Sequence, residues 1–510
     1  MTRGLFTDNP WKNSHRGYDE SPFNMRPAPE FATAEVVVAS LYRTLGFKGA
    51  SEASIPAAGR DFDRNTQNPK HSASVGSSIS NDTWRTVLHG VLESPKQPNQ
   101  SSKRFLQLCP IVPDVALYSG SARLSANSWN PGQLVQRMVT LGSDSPSSAR
   151  IRWQQLFLAM TVAETDDLWA RWLDTEFGLR RKKDTIWQLQ EIGQPPDLPV
   201  GEKQRLSFPA QQFVKDLDAI VGAKDSMTRR QWVSLLEAVL RLGSVTHVLW
   251  LCEVNQRLWR AARDVLEGGG VPSEEQIRSE IVSLRSSSYL TYANPAVPRI
   301  RDQAAYYLHA RLWLNLVMWH MEEMGKSTPP ISSCSDVARF LFDVSELGPR
   351  LRAADVAGEY AQMQGEEARV LACKKGIGSN IVEFCRHVLG QREAANETLR
   401  GYDQGYVLRR RGQHSRAPWV VSLGPVSVLA LVHCCLREAV GPRSIQRLCT
   451  HLASYGLEVD RDDIATGDLG RQLRMLGLVL DSPDAETGML LVPPFAASGG
   501  GLARMATWHN

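Results

Sequence analysis

The strongest constraint on how this chain folds is residues 301–324, RDQAAYYLHARLWLNLVMWHMEEM, which are apolar on nearly every face of a helix. A helix of that kind has no solvent face and must be enclosed by other elements. It therefore predicts a helical body large enough to surround it. Other apolar residues before position 400 follow the same period. Trp153, Leu156, Phe157 and Met160 fall at i, i+3, i+4 and i+7, and Trp232, Leu235, Leu236, Val239 and Leu240 form a five-residue stripe. Period-two strand patterns are nearly absent over the same stretch. With 510 residues, 42% of them hydrophobic and 22% charged, the chain can fill such a core, and its length suggests about three or four domains.

Capping and breaking residues set the expected divisions. A first helix is expected near 33–44. Residues 49–82 are rich in Ser, Ala, Gly, Asn and charge, which predicts a long surface loop or disorder, and 120–150 read as further Ser/Gly/Asn/Pro turns. Thr165 is the expected N-cap of a helix carrying Leu168, Trp169, Trp172 and Leu173, with Asp166 and Asp167 in its first turn. A helix starting near Thr228 should stop at Gly243. A second, with Leu249, Trp250, Cys252 and Leu258, should follow as an αα-hairpin. Gly268, Gly269 and Gly270 read as a linker, and Ser273 with Gln276 as a capping box. Further helices are expected near 336–342, 353–363 and 381–389. This gives an N-terminal region (1–150), helical domains over 151–270 and 271–400, a basic linker (401–425), a C-terminal domain (426–495) and a tail (496–510).

Most chemistry is argued against by what the residues lack. The formal charge is only +4, so any basic surface must be local. The eight cysteines form no CxxC pair, and buried reduced thiols are expected rather than a zinc site or a disulfide framework. The first residues show no apolar signal-peptide core, and the apolar run 426–436 is too short for a bilayer, so a cytoplasmic protein without membrane partners is expected. His309, His320 and Glu323 share a helix face but lack the partners of a metal site, and read as hydrogen-bonded histidines. The run Lys374 to Asn380 departs from phosphate-loop spacing and reads as a turn at the start of a helix. Arg180, Arg181, Lys182 and Lys183 read as a solvated cluster at a helix C-terminus. No catalytic residue, cofactor or metal ligand is assigned.

From Pro418 the pattern changes. An apolar helix over 426–438 precedes a second with Ile445, Leu448, Cys449 and Leu452, and a third over 462–476. Two short alternating runs come next, Leu478-Val479-Leu480 and Met489 to Val492, around a Pro- and Gly-containing loop. Helix–helix–helix–strand–loop–strand resembles the winged-helix superfamily. The run Leu469-Gly-Arg-Gln-Leu-Arg-Met-Leu-Gly-Leu-Val is similar to its third helix and first wing strand. The fold class expected is mainly α, a multi-domain helical body with a C-terminal winged helix carrying a short β-hairpin.

The resemblance implies DNA contact of the kind that family commonly makes, with the third helix in the major groove. Arg471, Gln472 and Arg474 would then meet bases or phosphates. An upstream arm with Arg409, Arg410, Arg411 and Arg416 would hold the backbone. Residues 401–480 contain ten Arg against seven Asp plus Glu. Winged helices also dock proteins, and Asp481, Asp484 and Glu486 on the wing, with Asp460, Asp462 and Asp463, would repel phosphate. The expected function is a non-enzymatic helical scaffold subunit whose winged helix contacts DNA alongside other protein subunits. In architecture this is similar to accessory subunits of bacterial DNA-restriction and antiviral-defence systems. The alternatives are a winged helix that docks only a protein, and an enzyme whose site is assembled from distant residues.

Overall fold

The computed structural model describes residues 2–26, 28–30, 32–67, 76–94, 106–122, 129–181, 185–192, 209–283, 288–392, 403–412, 414, 416–437, 439, 441–465, 467–481 and 489–495. Lys182, Lys183, Asp484, Glu486 and the tail 496–510 lie outside the described residues. The protein is mainly helical, with a few short strands concentrated toward the C-terminus.

Two long helices form its axis. Arg229–Leu266 begins on a capping box, in which the Thr228 hydroxyl accepts from the Gln231 amide and the Gln231 side chain accepts from the Thr228 amide. That arrangement satisfies two donors the first turn leaves unpaired. The helix runs for 38 residues, about 57 Å at 1.5 Å per residue. Gly243 does not end it, contrary to expectation. An added Cβ at 243 would overlap the Phe213 ring of the neighbouring helix Pro209–Gly222, so this glycine permits a close helix–helix approach. The stop comes at Gly268, whose φ of 104° lets the Gly268 and Gly269 amides close onto the carbonyls of Val265 and Asp264. The expected αα-hairpin is one continuous helix.

Its main partner is Val297–Glu323, the apolar run of the sequence, whose residues from Ala310 to Met321 are all buried. Ala34–Gly46, Pro131–Gly142, Pro209–Gly222, Cys334–Glu346, Gly376–Leu389 and Pro425–Leu436 also pack against the long helix. Arg229–Leu266 is long and apolar enough to cross a membrane, but 94% of its most apolar window is buried inside this fold. One apolar core runs from Phe6 to Leu491, drawing on 1–150, 151–270 and 271–400 alike, so those boundaries mark no gap in packing. A smaller core gathers Phe62, Trp84, Tyr118 and Phe177. All eight cysteines are free, and all but Cys449 are buried.

Several local expectations need correction. Within 49–82, Ile55–Gln67 is a helix rather than a loop. It buries only Ile55 and Phe62 as large apolar residues on its inner face, too sparse a stripe to register as periodic. Within 120–150, Pro131–Gly142 is a helix with Leu134, Val135, Met138 and Val139 buried. The Asn130-Pro131 and Ser145-Pro146 pairs, taken as turns, are N-caps with proline at the first helical position. The N-cap of Leu168–Arg180 is Asp167 rather than Thr165. Asp166 instead lies 3.1 Å from Lys224 and 3.4 Å from Arg229. Leu168 is 75% exposed, so the inner face of that helix is Ala170, Leu173 and Phe177.

Buried arginines stitch segments that are remote in sequence. Arg43 forks onto Glu52 at 2.7 Å and donates to the carbonyls of Ala116, Ser119 and Gly120. Arg229 donates to the carbonyls of Ile111 and Met160 beside Asp166. Arg241 forks onto Asp403 at 2.6 and 3.2 Å and donates to the carbonyls of Val388 and Gly390 at 2.7 and 2.8 Å. Each guanidinium is both paired and hydrogen-bonded, the condition under which a charge can be buried.

The C-terminal region joins the body by backbone and side chain. Leu408–Arg410 and Trp419–Val421 form an antiparallel hairpin, so the expected basic arm is folded. The Trp419 carbonyl accepts from Ala296, and Leu290–Thr291 pairs in parallel with Leu457–Glu458. Asp216 accepts from the Tyr455 hydroxyl at 2.7 Å and lies 2.9 Å from His451 Nε2. Pro425–Leu436 and Gln446–Ala453 are the first two helices of this region, and between them Arg443–Ser444 is a strand. The expected third helix is broken into Arg461–Ala465 and Asp468–Met475. Gly467 caps the second piece, and Gly470 lets it cross the Ile464 carbonyl too closely for any side chain. Val479–Asp481 and Met489–Leu491 complete a three-stranded antiparallel sheet in the order 443–444, 489–491, 479–481.

Candidate nucleic-acid interface

The hairpin alternates its side chains across the sheet, as a strand must. Leu408 is buried, Arg409 is exposed and Arg410 turns back half-buried. The Arg410 guanidinium sits 5.2 Å from the Trp419 ring centroid, a cation–π contact that keeps it on the hairpin. Arg409 reaches the other way, to 4.0 Å from Asp468, and also bonds the Tyr406 phenol. Burial raises the Tyr406 hydroxyl above its ordinary pKa while Arg409 pulls it down. These contacts occupy two of the four hairpin arginines expected to meet phosphate. Arg411 and Arg416, on the turn closed by the Arg411 amide and the Pro418 carbonyl, are exposed. Neither has a carboxylate partner among the described residues.

On Asp468–Met475, Leu469, Gly470 and Leu473 face inward and Arg471 and Arg474 outward. Gln472 is half-buried, and its Oε1 lacks a hydrogen-bond partner. Arg471 pairs with Asp468 one turn earlier. Asp468 therefore bridges Arg471 and Arg409, and through it the helix and the hairpin meet. The body closes in at the same place. Burial pushes the Tyr292 hydroxyl up to about 12, with Asp468 and Asp463 adding to the effect. All seven expected residues thus belong to two adjacent elements. Arg443 and Arg447 are exposed on the same region and were not anticipated, because an isolated Arg carries no pattern.

The residues weighed for other chemistry do not converge. His309 bonds Tyr360 and Gln364, each at 3.1 Å, whereas His320 lies 2.8 Å from Glu359 and 3.2 Å from Arg3. Glu323 pairs with Arg3. Lys375 is the N-cap of Gly376–Leu389, so this motif opens a helix as expected. Arg180 is held by Glu176 and lies over Trp84, and Arg181 reaches Asp114 at 3.1 Å. No group of three or more potential metal ligands occurs among the described residues. No protein family matches the chain, and no curated protein matches it.

Proposed function

We propose that residues 425–491 form a winged helix that contacts duplex DNA, held in a set orientation by the helical body and serving within a larger protein assembly. The observation that carries this reading is the sheet order 443–444, 489–491, 479–481, with Asp468–Met475 leading into the strand 479–481. It places one strand after the first helix and a hairpin after the last, the arrangement of a winged helix. The outward arginines give the charge, with Arg471 and Arg474 on the helix that would enter the groove and Arg411 and Arg416 at a neighbouring turn for the backbone.

The test is fluorescence anisotropy of the full chain with labelled duplex over a salt series. Replacing Arg411 and Arg416 with Ala should make the slope of log affinity against log salt shallower by up to about 0.9 for each phosphate no longer neutralised. Replacing Arg474 should weaken binding by about 1–3 kcal/mol if it reads a base edge. Absence of duplex binding at low salt would refute the reading.

One observation favours protein docking by the same helix. Met475 is 78% exposed and Leu480 51% exposed, and Leu476 between them is also exposed, an apolar edge that phosphate does not need. Under that reading Met475→Glu with Leu480→Glu would abolish partner binding, measured by co-purification from the native source.

A further inference from the structure

Away from the winged helix, the N-terminal segment is pinned to the two long helices by side chains. Arg311 of Val297–Glu323 donates to the Ser14 hydroxyl, and the Tyr18 hydroxyl donates to Asn255 of Arg229–Leu266. Between them lies His15, whose ring is 4% exposed and meets Trp319 edge-on at 4.7 Å. Its amide donates to Asn315 Oδ1 at 2.7 Å, and its side chain caps the short helix Arg16–Asp19. That cap fixes the ring's proton. The Gly17 amide, 3.0 Å from Nδ1, can only donate, so Nδ1 must present a lone pair. The neutral ring then carries its proton on Nε2, which donates to Glu322 at 2.6 Å. Gly17 is buried and meets the Thr328 carbonyl too closely for any side chain, so the turn is tightly seated.

We propose that His15 is an acid-sensitive clasp: a second ring proton, taken from solvent onto Nδ1, opens the turn at residues 15–20 and loosens the N-terminal segment from Val297–Glu323. Both ring nitrogens are then donors, and the Nδ1 proton faces the Gly17 proton where a hydrogen bond had been. The Gly17 amide is left buried without an acceptor. The gain on the other side of the ring is small, because Glu322 is 56% exposed and water screens its pull on the imidazolium. Burial accordingly holds His15 below its ordinary pKa of 6.5, against the opposing effect of Glu322. The folded-state value is the lower one, so the clasp contributes in full above about pH 6.5 and weakens as pH falls from there. Other charges at this end of the helix are engaged elsewhere. Arg16 pairs with Glu20, and Asp19 with Arg26. His320 and Glu323 meet Glu359 and Arg3, and Arg311 turns to Ser14 and the carbonyls of Pro10 and Trp11. Lys326, just beyond the helix, pairs with Asp343 and Glu346.

The test is hydrogen exchange of the full chain, read by mass spectrometry from about pH 7.5 to 4.5 and corrected for the intrinsic pH dependence of amide exchange. Peptides spanning residues 12–26 should open increasingly below about pH 6.5, by up to about tenfold per pH unit, the limit for one proton. Peptides from Arg229–Leu266 should stay protected throughout. His15→Asn keeps a side-chain oxygen able to cap the turn but cannot titrate, so its corrected exchange should not vary with pH. Glu322→Gln removes the countercharge that favours the imidazolium and should enlarge the acid response. Wild type with flat corrected exchange over residues 12–26 overturns the proposal, as does a His15→Asn variant that keeps the wild-type acid response. An acid response lost in Glu322→Gln would place the trigger on the carboxylate. Simultaneous opening of Arg229–Leu266 would mean global acid unfolding rather than release of a clasp. Either of these results also overturns it.

Discussion

Asp403→Asn isolates the contact that ties the hairpin to the body. The Asp403 carboxylate is fully buried between Arg241, at 2.6 and 3.2 Å, and the Arg392 amide, at 2.7 Å. Burial opposes its ionisation, but the guanidiniums of Arg241 and Arg392 overcome this and hold the carboxyl at about 2, against 3.8 ordinarily. At about 1.4 kcal/mol per tenfold, the gap is worth on the order of 2–3 kcal/mol in favour of the charged form. Asn keeps the shape and one acceptor but leaves Arg241 without its nearest countercharge. Glu237, 3.4 Å from Arg241 and 3.0 Å from Arg392, takes up part of that loss. The expected destabilisation at pH 7 is about 2–3 kcal/mol, below the ~3–5 kcal/mol of a buried charge left wholly alone. The sign of the pH dependence is set by the folded-state value being the lower one. The carboxylate's contribution is complete above about pH 5, declines as pH falls from there, and is nearly gone below about 2. Urea denaturation of both proteins at pH 7, 5, 4 and 3 should therefore show a gap that is constant down to about pH 5 and narrows below 4, at unchanged m. An Asn variant within about 0.5 kcal/mol of wild type at pH 7, or a gap equally wide at pH 5 and 3, would refute this account.

Two further outcomes are expected. Gly243→Ala gains about 1 kcal/mol of helix propensity but forces a methyl into the buried Phe213 ring, which costs about 1–3 kcal/mol. The variant should be less stable by about 1 kcal/mol, and Phe213→Leu should recover part of this; strictly additive effects in a double-mutant cycle would show that the two helices do not meet there. Asp468→Asn should release Arg409 and Arg471, raising duplex affinity and steepening its salt dependence in the anisotropy assay. Weaker binding would instead mean that Asp468 positions these arginines for DNA.

Where one helix face carries a dense apolar stripe, the fold was legible in the sequence. Trp232, Leu235, Leu236, Val239 and Leu240 are all buried on Arg229–Leu266, and the Thr228 and Ser273 caps stand where their side chains place them. Glycine was the misleading signal. Residues 243 and 268 look alike in the sequence, but one admits a neighbouring ring and the other adopts a positive φ. Only the partner helix distinguishes them. Asn130-Pro131 misled for a related reason, because a cap and a turn use the same residues and differ only in the backbone that continues beyond them. Ile55–Gln67 was missed because its stability comes from packing against Tyr118 and Phe177, which lie far along the chain.

The candidate interface shows the same limit at the level of charge. Sequence identified the hairpin and third-helix cations but not what neutralises them. Arg409, Arg410 and Arg411 are adjacent and chemically equal, yet strand alternation sends the first to Asp468 and the second onto Trp419, and the third faces solvent. A local surplus of Arg over Asp and Glu therefore overstates what a phosphate backbone can meet. Because the hairpin is anchored by Arg241 on one side, through the Gly390 carbonyl, and by residues 292–296 on the other, the arrangement of these charges belongs to the whole fold. Loosening the Asp403 anchor should therefore weaken any DNA contact made at the turn, even though Asp403 itself is buried well away from solvent.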